Sequence, residues 1–272
     1  MLKYLFSDSY GRDFSESGSV ISGKVGSFVI NLDRATERWN FIKRSVEALG
    51  FQTARISAED GNLLSDDYIN SISDKERYRR YFKMYPEKGT IGCSLSHEKA
   101  WKEFLLSDCE FALIFEDDAS FDPSVLKNCV EDAIKYRQLW DVLELEPYHH
   151  GSPVAIRRIN ASHSMCVYFS NITHAGCYLI NRATARKFLQ KMYPIFVPLD
   201  HYINAAWEFD VKYIGVEPRV VRQRTCASQI KTTSSKKFSD IRTICSNALY
   251  NIRRSVVWFL YSCYIKITLC KN

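Results

Sequence analysis

The chain has no C-x-x-C pair among its nine cysteines, and their number is odd. Both facts argue against a disulfide framework and leave free thiols in a reducing cytoplasm as the expected state. No secretory leader is expected either. Residues 1–26 are polar and Gly/Ser-rich, without the apolar stretch such a signal requires, and are expected to form a mobile arm. No apolar run approaches the ~20 residues needed to span a bilayer. With 11 glycines and 7 prolines in 272 residues, and no internal repeat, collagen-like and globally disordered architectures are excluded. Net positive charge is absent from most of the chain. Eight Lys/Arg and one acid, Asp240, follow residue 230, so that segment carries +7 against +6 for the whole, which leaves residues 1–230 at −1. Such a body gives nucleic acid no electrostatic footing, and none is expected as a partner.

What is present is a core-forming composition, 46% hydrophobic and 14% aromatic, sufficient for one large or two small domains. The most informative stretch is EFALIFEDD at 110–118. Phe111 to Phe115 reads as a buried strand. It ends in three adjacent carboxylates, Glu116, Asp117 and Asp118, which repel one another unless a divalent cation or a cationic side chain neutralises them. Open α/β sheets place ligands at the carboxyl ends of their strands. The combination points to metal-assisted chemistry on an anionic substrate, most simply a nucleotide diphosphate.

The surrounding pattern is α/β. Residues 27–32 predict a strand, Asp33 a cap, 34–49 a helix stopped by Gly50, and 51–56 a second strand, so a mostly parallel sheet is expected. Residues 66–88 read as short helices or an ordered loop over a site. Helices are expected over 91–106, 123–136 and 181–192, the last capped by Asn181, with strands at 140–145, 175–180 and 211–214. Residues 146–165 show no clear period and read as a loop.

Several residues have the chemistry to serve a phosphate-bearing ligand. Asn31 closes the first strand, and Arg34 and Arg38 follow one turn apart, where they can meet a phosphate or pair with Glu37. Gly92, Ser94 and His97 lie in GTIGCSLSH at a helix start, where free backbone N–H groups receive anions; His97 also shares a face with Trp101, as a core histidine would. Asp118 is the expected direct metal ligand, Glu116 supports it, and Asp117 reaches a ribose hydroxyl or a basic side chain. Asp200, after Pro198-Leu199, either caps a helix or deprotonates a hydroxyl.

FVINLDRATERW, SAEDG, GTIGCSLSHEKAW, ALIFEDDA, AGCYLINRATARKFL and PLDHYI occur in the order and spacing of glycosyltransferase family 25, which the chain resembles over about residues 27–230. The resemblance implies a GT-A-like fold, a UDP-hexose donor, Mn²⁺ or Mg²⁺, and inversion at the anomeric carbon. It places Glu116-Asp117-Asp118 at the family's DxD-like element, Asn31, Arg34, Arg38, Ala58 and Asp60 on the donor side, and Asp200 as the base. His201 stands where many relatives have Trp. No His follows it, so His201, Gln223 or water is left to complete a metal shell.

The last segment, 231–272, joins basic charge to an apolar stretch. It is expected to lie in a membrane interface, with Trp258, Phe259 and Tyr261 at headgroup depth and Arg253, Arg254 and Lys266 on anionic lipid; a helix packed on the domain is the alternative. The expected protein is therefore a galactosyl- or glucosyltransferase with a lipid-linked (lipooligosaccharide or lipopolysaccharide) acceptor, on the cytoplasmic face of the inner membrane. A metal-dependent nucleotidyltransferase and a non-catalytic membrane-associated binding module are the rival classes.

Overall fold

The computed structural model describes residues 24–149, 151, 153–224 and 238–270. Most of the expected N-terminal arm and the basic stretch 231–237 lie outside these residues. The chain opens with β1 (Val25–Asn31), α1 (Thr36–Glu47) and β2 (Gln52–Ser57). Gly50 takes a φ of 72° and stops α1, as its position suggests. Asp33 does not cap α1, which begins two residues beyond Arg34. Its carboxylate instead accepts from Arg55 Nη2 and Ser57 Oγ on β2, at 2.8 and 2.7 Å.

Helices α2 (Asp66–Ile72), α3 (Lys75–Phe82) and α4 (Lys88–Leu106) lead to β3 (Phe111–Glu116) and β4 (Ala119–Phe121). After α5 (Pro123–Ile134) come β5 (Val142–Glu144), β6 (Pro153–Arg158), β7 (Ser164–Tyr168) and β8 (Cys177–Asn181). Then follow α6 (Arg182–Lys191), α7 (Leu199–Ile203), β9 (Tyr213–Glu217), β10 (Val221–Gln223) and α8 (Ile241–Cys270). The Asn181 side chain accepts from Thr184 N at 2.9 Å and caps α6 as expected. Residues 146–165 differ from expectation. They contain β6 and the start of β7, an antiparallel pair at the sheet margin, where Pro153, Arg157 and Arg158 suit an edge strand.

Eight strands form one sheet in the order β2-β1-β3-β8-β5-β9-β7-β6, and β4 pairs with β10 in a separate ribbon. The α/β class holds, but the sheet is mixed. Pairing is parallel in β2-β1-β3 and β5-β9, and antiparallel where β8 and β7 insert. β3 sits between β1 and β8, and its residues 111–115 are all buried. A strand covered on both faces carries the continuous apolar run seen in the sequence.

Helix α8 is where the structure departs furthest from expectation. Trp258 and Tyr261 are not at a surface; they are 2% and 7% exposed and belong to the core together with Ile265 and Leu269. Trp258 Nε1 and Ser262 Oγ both donate to Tyr168 O at 2.6 Å, and Tyr261 Oη donates to Val211 O at 2.7 Å. Arg254 is also buried and donates to Asn204 Oδ1. The aromatic residues that read as an interfacial belt fill the gap over β7 and β9 because their apolar area is larger than their one polar atom, and each polar atom finds a partner. The opposite face remains exposed, with Phe259 50% accessible. Among the described residues no helix is long and apolar enough to cross a membrane.

Candidate active site

The three carboxylates at the end of β3 part company. Asp117 turns toward the start of the chain, where Asn31 Nδ2 donates to its Oδ2 and Arg38 Nη1 to its Oδ1, each at 2.7 Å. Of the two expected partners, ribose or a basic side chain, Arg38 is the one present. Asn31 is committed at both ends, since its Oδ1 accepts from Arg55 Nε and Nη2 at 2.9 and 2.7 Å. Arg34 pairs with Asp60, which also accepts from Asn62 N at the turn 61–63. Ala58 N donates to Asn31 O at 3.0 Å and ties that turn to β1. Of the donor-side residues named from the sequence, Asn31 and Arg38 meet at Asp117, Ala58 joins them through the Asn31 backbone, and Arg34 and Asp60 form a separate pair.

Asp118 touches the same guanidinium more loosely, with Arg38 Nη1 3.5 Å from its Oδ2, and is held chiefly from β10. Its Oδ2 accepts from Gln223 Nε2 at 3.1 Å and its backbone O from Arg224 N at 2.8 Å, because β10 pairs with β4 immediately after the turn. Burial, then the neighbouring Glu116 carboxylate, pushes the Asp118 carboxyl up to about 6. Glu116 points back to α4, with His97 Nε2 at 3.5 Å and Cys93 Sγ at 3.8 Å from its Oε1.

A cavity of about 230 Å³ opens beside this cluster. Glu116 and Gln223 line one side, Asp200 from α7 lines another, and Cys93, Glu146 and His174 complete it. The carboxylate expected to act as a base, Asp200, and one of the two expected to hold a metal, Glu116, therefore face one space, and Gln223, which bonds Asp118, lines it too. Asp200 Oδ1 accepts from His201 N at 2.8 Å, which fixes the carboxylate at the helix start.

Three expectations need correction. α4 starts at Lys88, so Gly92 lies in its second turn rather than at a free N-terminus. A Cβ at Gly92 would stand 2.6 Å from Glu59 O and 2.7 Å from Gly61 N; this glycine lets the 59–61 turn press against the helix and does not meet a ligand. Ser94 is buried and lines a separate small crevice with Met192 and Pro194. His201 has its Nδ1 taken up within the protein: it faces Tyr250 Oη at 3.1 Å and the Arg254 guanidinium, and burial followed by Arg254 lowers its pKa to about 4. His97 is wholly buried, with Nδ1 2.9 Å from Tyr178 Oη, as the core reading of this residue requires.

Glu146 and His174 were not found from the sequence. Glu146 is 2% exposed, and Gly176 leaves it room, since a Cβ there would lie 2.1 Å from Glu146 Oε2. His174 has a φ of 80°, rare for a residue with a side chain, and stacks on Tyr148 with ring centroids 4.8 Å apart. The acids alternating in LELEP (Glu144, Glu146) were the available signal. Glu144, buried as well, serves the fold: its Oε2 accepts from Tyr213 Oη at 2.8 Å.

The family model described as "Glycosyltransferase family 25 (LPS biosynthesis protein)" matches residues 25–203. The chain belongs to glycosyltransferase family 25. A "Glycosyltransferase 25 family member" of Aedes aegypti is 30% identical over 182 residues, covering 65% of this chain and 30% of the relative. "Procollagen galactosyltransferase 2" of Mus musculus is 30% identical over 216 residues, covering 71% of this chain and 34% of the relative. The family 25 chain thus matches about a third of the length of these relatives. Among solved structures it is similar to S. aureus TarS 1–349 in complex with UDP-GlcNAc, with a TM-score of 0.45, 11% identity, and coverage of 88% of this chain and 72% of that one.

His174 Nδ1 lies 3.7 Å from Glu146 Oε1, and that carboxylate holds the imidazole above its ordinary pKa of 6.5. The pair's stabilisation is therefore complete below the ordinary value and is lost as pH rises through the raised one. In Glu146→Gln the His174 midpoint falls, read from its ring proton shifts by NMR; an unchanged midpoint removes Glu146 as the cause.

Proposed function

We propose that the protein is an inverting hexosyltransferase that moves galactose, or glucose, from a UDP-sugar to a hydroxyl of a lipid-linked lipooligosaccharide or lipopolysaccharide acceptor. The observation that carries this reading is the cavity lined by both Asp200 and Glu116, the first acid at the end of β3. The parallel β2-β1-β3 half, with its ligand-side strand ends, is the arrangement a GT-A-like nucleotide site uses. The family's description and the galactosyltransferase name of the mouse relative support the transfer and favour galactose.

The residues present fit a hard divalent cation, Mn²⁺ or Mg²⁺. Asp118 and Glu116 offer carboxylate oxygens, and a cation beside them would offset both the burial and the Glu116 charge that raise the Asp118 pKa. Asp118 would hold it, with Glu116 in support. When bound, the cation stabilises the charge that develops on a departing diphosphate. Asp117, clamped by Arg38 and Asn31, keeps the turn in place. Asp200 has one oxygen on His201 N, and its other oxygen takes the acceptor proton. As the acceptor oxygen bonds to the sugar C1, the C1–O bond to phosphate breaks and UDP leaves.

With purified protein, UDP-galactose, Mn²⁺ and lipooligosaccharide, Asp200→Asn lowers the rate of UDP release by about 10²–10⁴-fold. Asp118→Asn abolishes the metal-dependent part while both variants keep the wild-type circular dichroism. Wild-type turnover in either variant removes that residue from its role. Release of pyrophosphate instead would indicate a nucleotidyltransferase, and no turnover of any UDP-sugar would indicate a binding module.

The proposal includes a seat on the cytoplasmic face of the inner membrane. Leu249, Ile252, Val256, Phe259 and Ile267 are each at least half exposed along one side of α8, and Arg253 and Lys266 lie beside them. An apolar stripe flanked by cations suits an anionic lipid surface. The full chain floats with vesicles containing phosphatidylglycerol, and Phe259→Ser with Ile252→Ser weakens this without unfolding the protein. Equal flotation of the double variant would contradict the membrane seat.

A further inference from the structure

Cys93 and His97 have no task in the transfer reaction, yet both converge on Glu116. They stand four residues apart on α4, on one face and one turn from each other. β3 carries Glu116 to that face. Its Oε1 lies 3.5 Å from His97 Nε2 and 3.8 Å from Cys93 Sγ, and the three donor atoms fall within 4.8 Å of one another. A tetrahedral Zn²⁺ site with usual bond lengths has N···O and S···O edges of ~3.4 and ~3.6 Å. The cluster is therefore close to a metal-ready geometry.

The imidazole is also held in the manner of a metal ligand. It is fully buried, and its outer nitrogen, Nδ1, is engaged by Tyr178 Oη at 2.9 Å. Trp101 Nε1 donates to that same hydroxyl at 2.9 Å, so the orienting group is itself fixed. Nε2 is buried, makes no hydrogen bond, and is aimed at Glu116. Cys93 and Glu116 both line the cavity, which supplies an entry path and an open fourth position.

We propose that Cys93 Sγ, His97 Nε2 and Glu116 form a binding site for a thiophilic divalent cation of the Zn²⁺ class, with three protein ligands and one position open to the cavity. A thiolate and an imidazole select such an ion, whereas the carboxylates at Asp118 select Mg²⁺ or Mn²⁺. On binding, the Cys93 thiol releases its proton to solvent and the sulfur and Nε2 lone pairs are given to the metal. Glu116 is shared by the two sites. Zn²⁺ in the cluster therefore withdraws Glu116 from the cation at Asp118 and slows Mn²⁺-supported transfer, a consequence that rests on the transferase reading.

The site is tested with metal-free full-length protein titrated with Co²⁺, which gives a thiolate-to-cobalt charge-transfer band only when a cysteine sulfur is bound. The band saturates at one equivalent in the wild type and in Asp118→Asn, is displaced by Zn²⁺, and is lost in Cys93→Ser. No band in the wild type, or the same band in Cys93→Ser, overturns the proposal. Should Cys93→Ser fail to fold, alkylation of the wild type decides: one equivalent of Zn²⁺ protects Cys93 from iodoacetamide, read by peptide mass spectrometry. An unchanged rate overturns it. Neither readout requires glycosyl transfer, so failure here leaves the transferase reading standing.

Discussion

Three adjacent carboxylates at the end of a fully buried strand set the terms for the rest of the molecule. None can be sunk into the core without a partner, and no single partner serves all three. The fold answers by sending them in different directions. Asp117 goes to Asn31 and Arg38, which ties the turn to β1 and α1. Glu116 goes to the α4 face that presents Cys93 and His97. Asp118 goes to Gln223, with Arg38 at 3.5 Å, and burial followed by Glu116 raises its pKa. The Asn31–Arg55–Asp33 chain and the Arg34–Asp60 pair make the first clamp rigid. What is left over is negative charge focused on one cavity.

The second requirement is that Asp200 be held across that cavity, and here α8 contributes. Arg254 donates to Asn204 and contacts His201, the residue beside Asp200, while Tyr250 stacks on Tyr81 of α3 with centroids 4.2 Å apart. Asn247 bonds the Tyr81 carbonyl, and Arg79 donates to Thr243 Oγ1 at 2.8 Å. The C-terminal helix thus braces both α3 and α7. One face of it serves the fold, and only the other is available to a surface.

Much of this was legible in the sequence where the physics is local. The β3 run, the Gly50 stop and the Asn181 cap depend on neighbours a few residues away, and these three are found as read. Pairing direction depends on partners far along the chain, so the antiparallel insertion of β8 left no local mark. The Gly92 reading failed because the helix began three residues earlier than its glycines suggested, which converted an anion site into a packing contact. Trp258, Tyr261 and Arg254 have the composition of an interfacial helix and of a packed one alike; only the exposed β7 and β9 surface they cover distinguishes the two. Glu146 and His174 enter the cavity from segments without period, so nothing in their spacing linked them to Asp118.

The central claim is that the end of β3 and Asp200 serve one reaction at one cavity. The most direct measurement is a crystal structure of the full chain with UDP and Mn²⁺, located by anomalous scattering. The account predicts a manganese peak bonded to an Asp118 carboxylate oxygen and to the diphosphate, with the phosphate end of UDP opening toward Asp200. A peak elsewhere, or UDP in another cleft with Asp118 untouched, would contradict it.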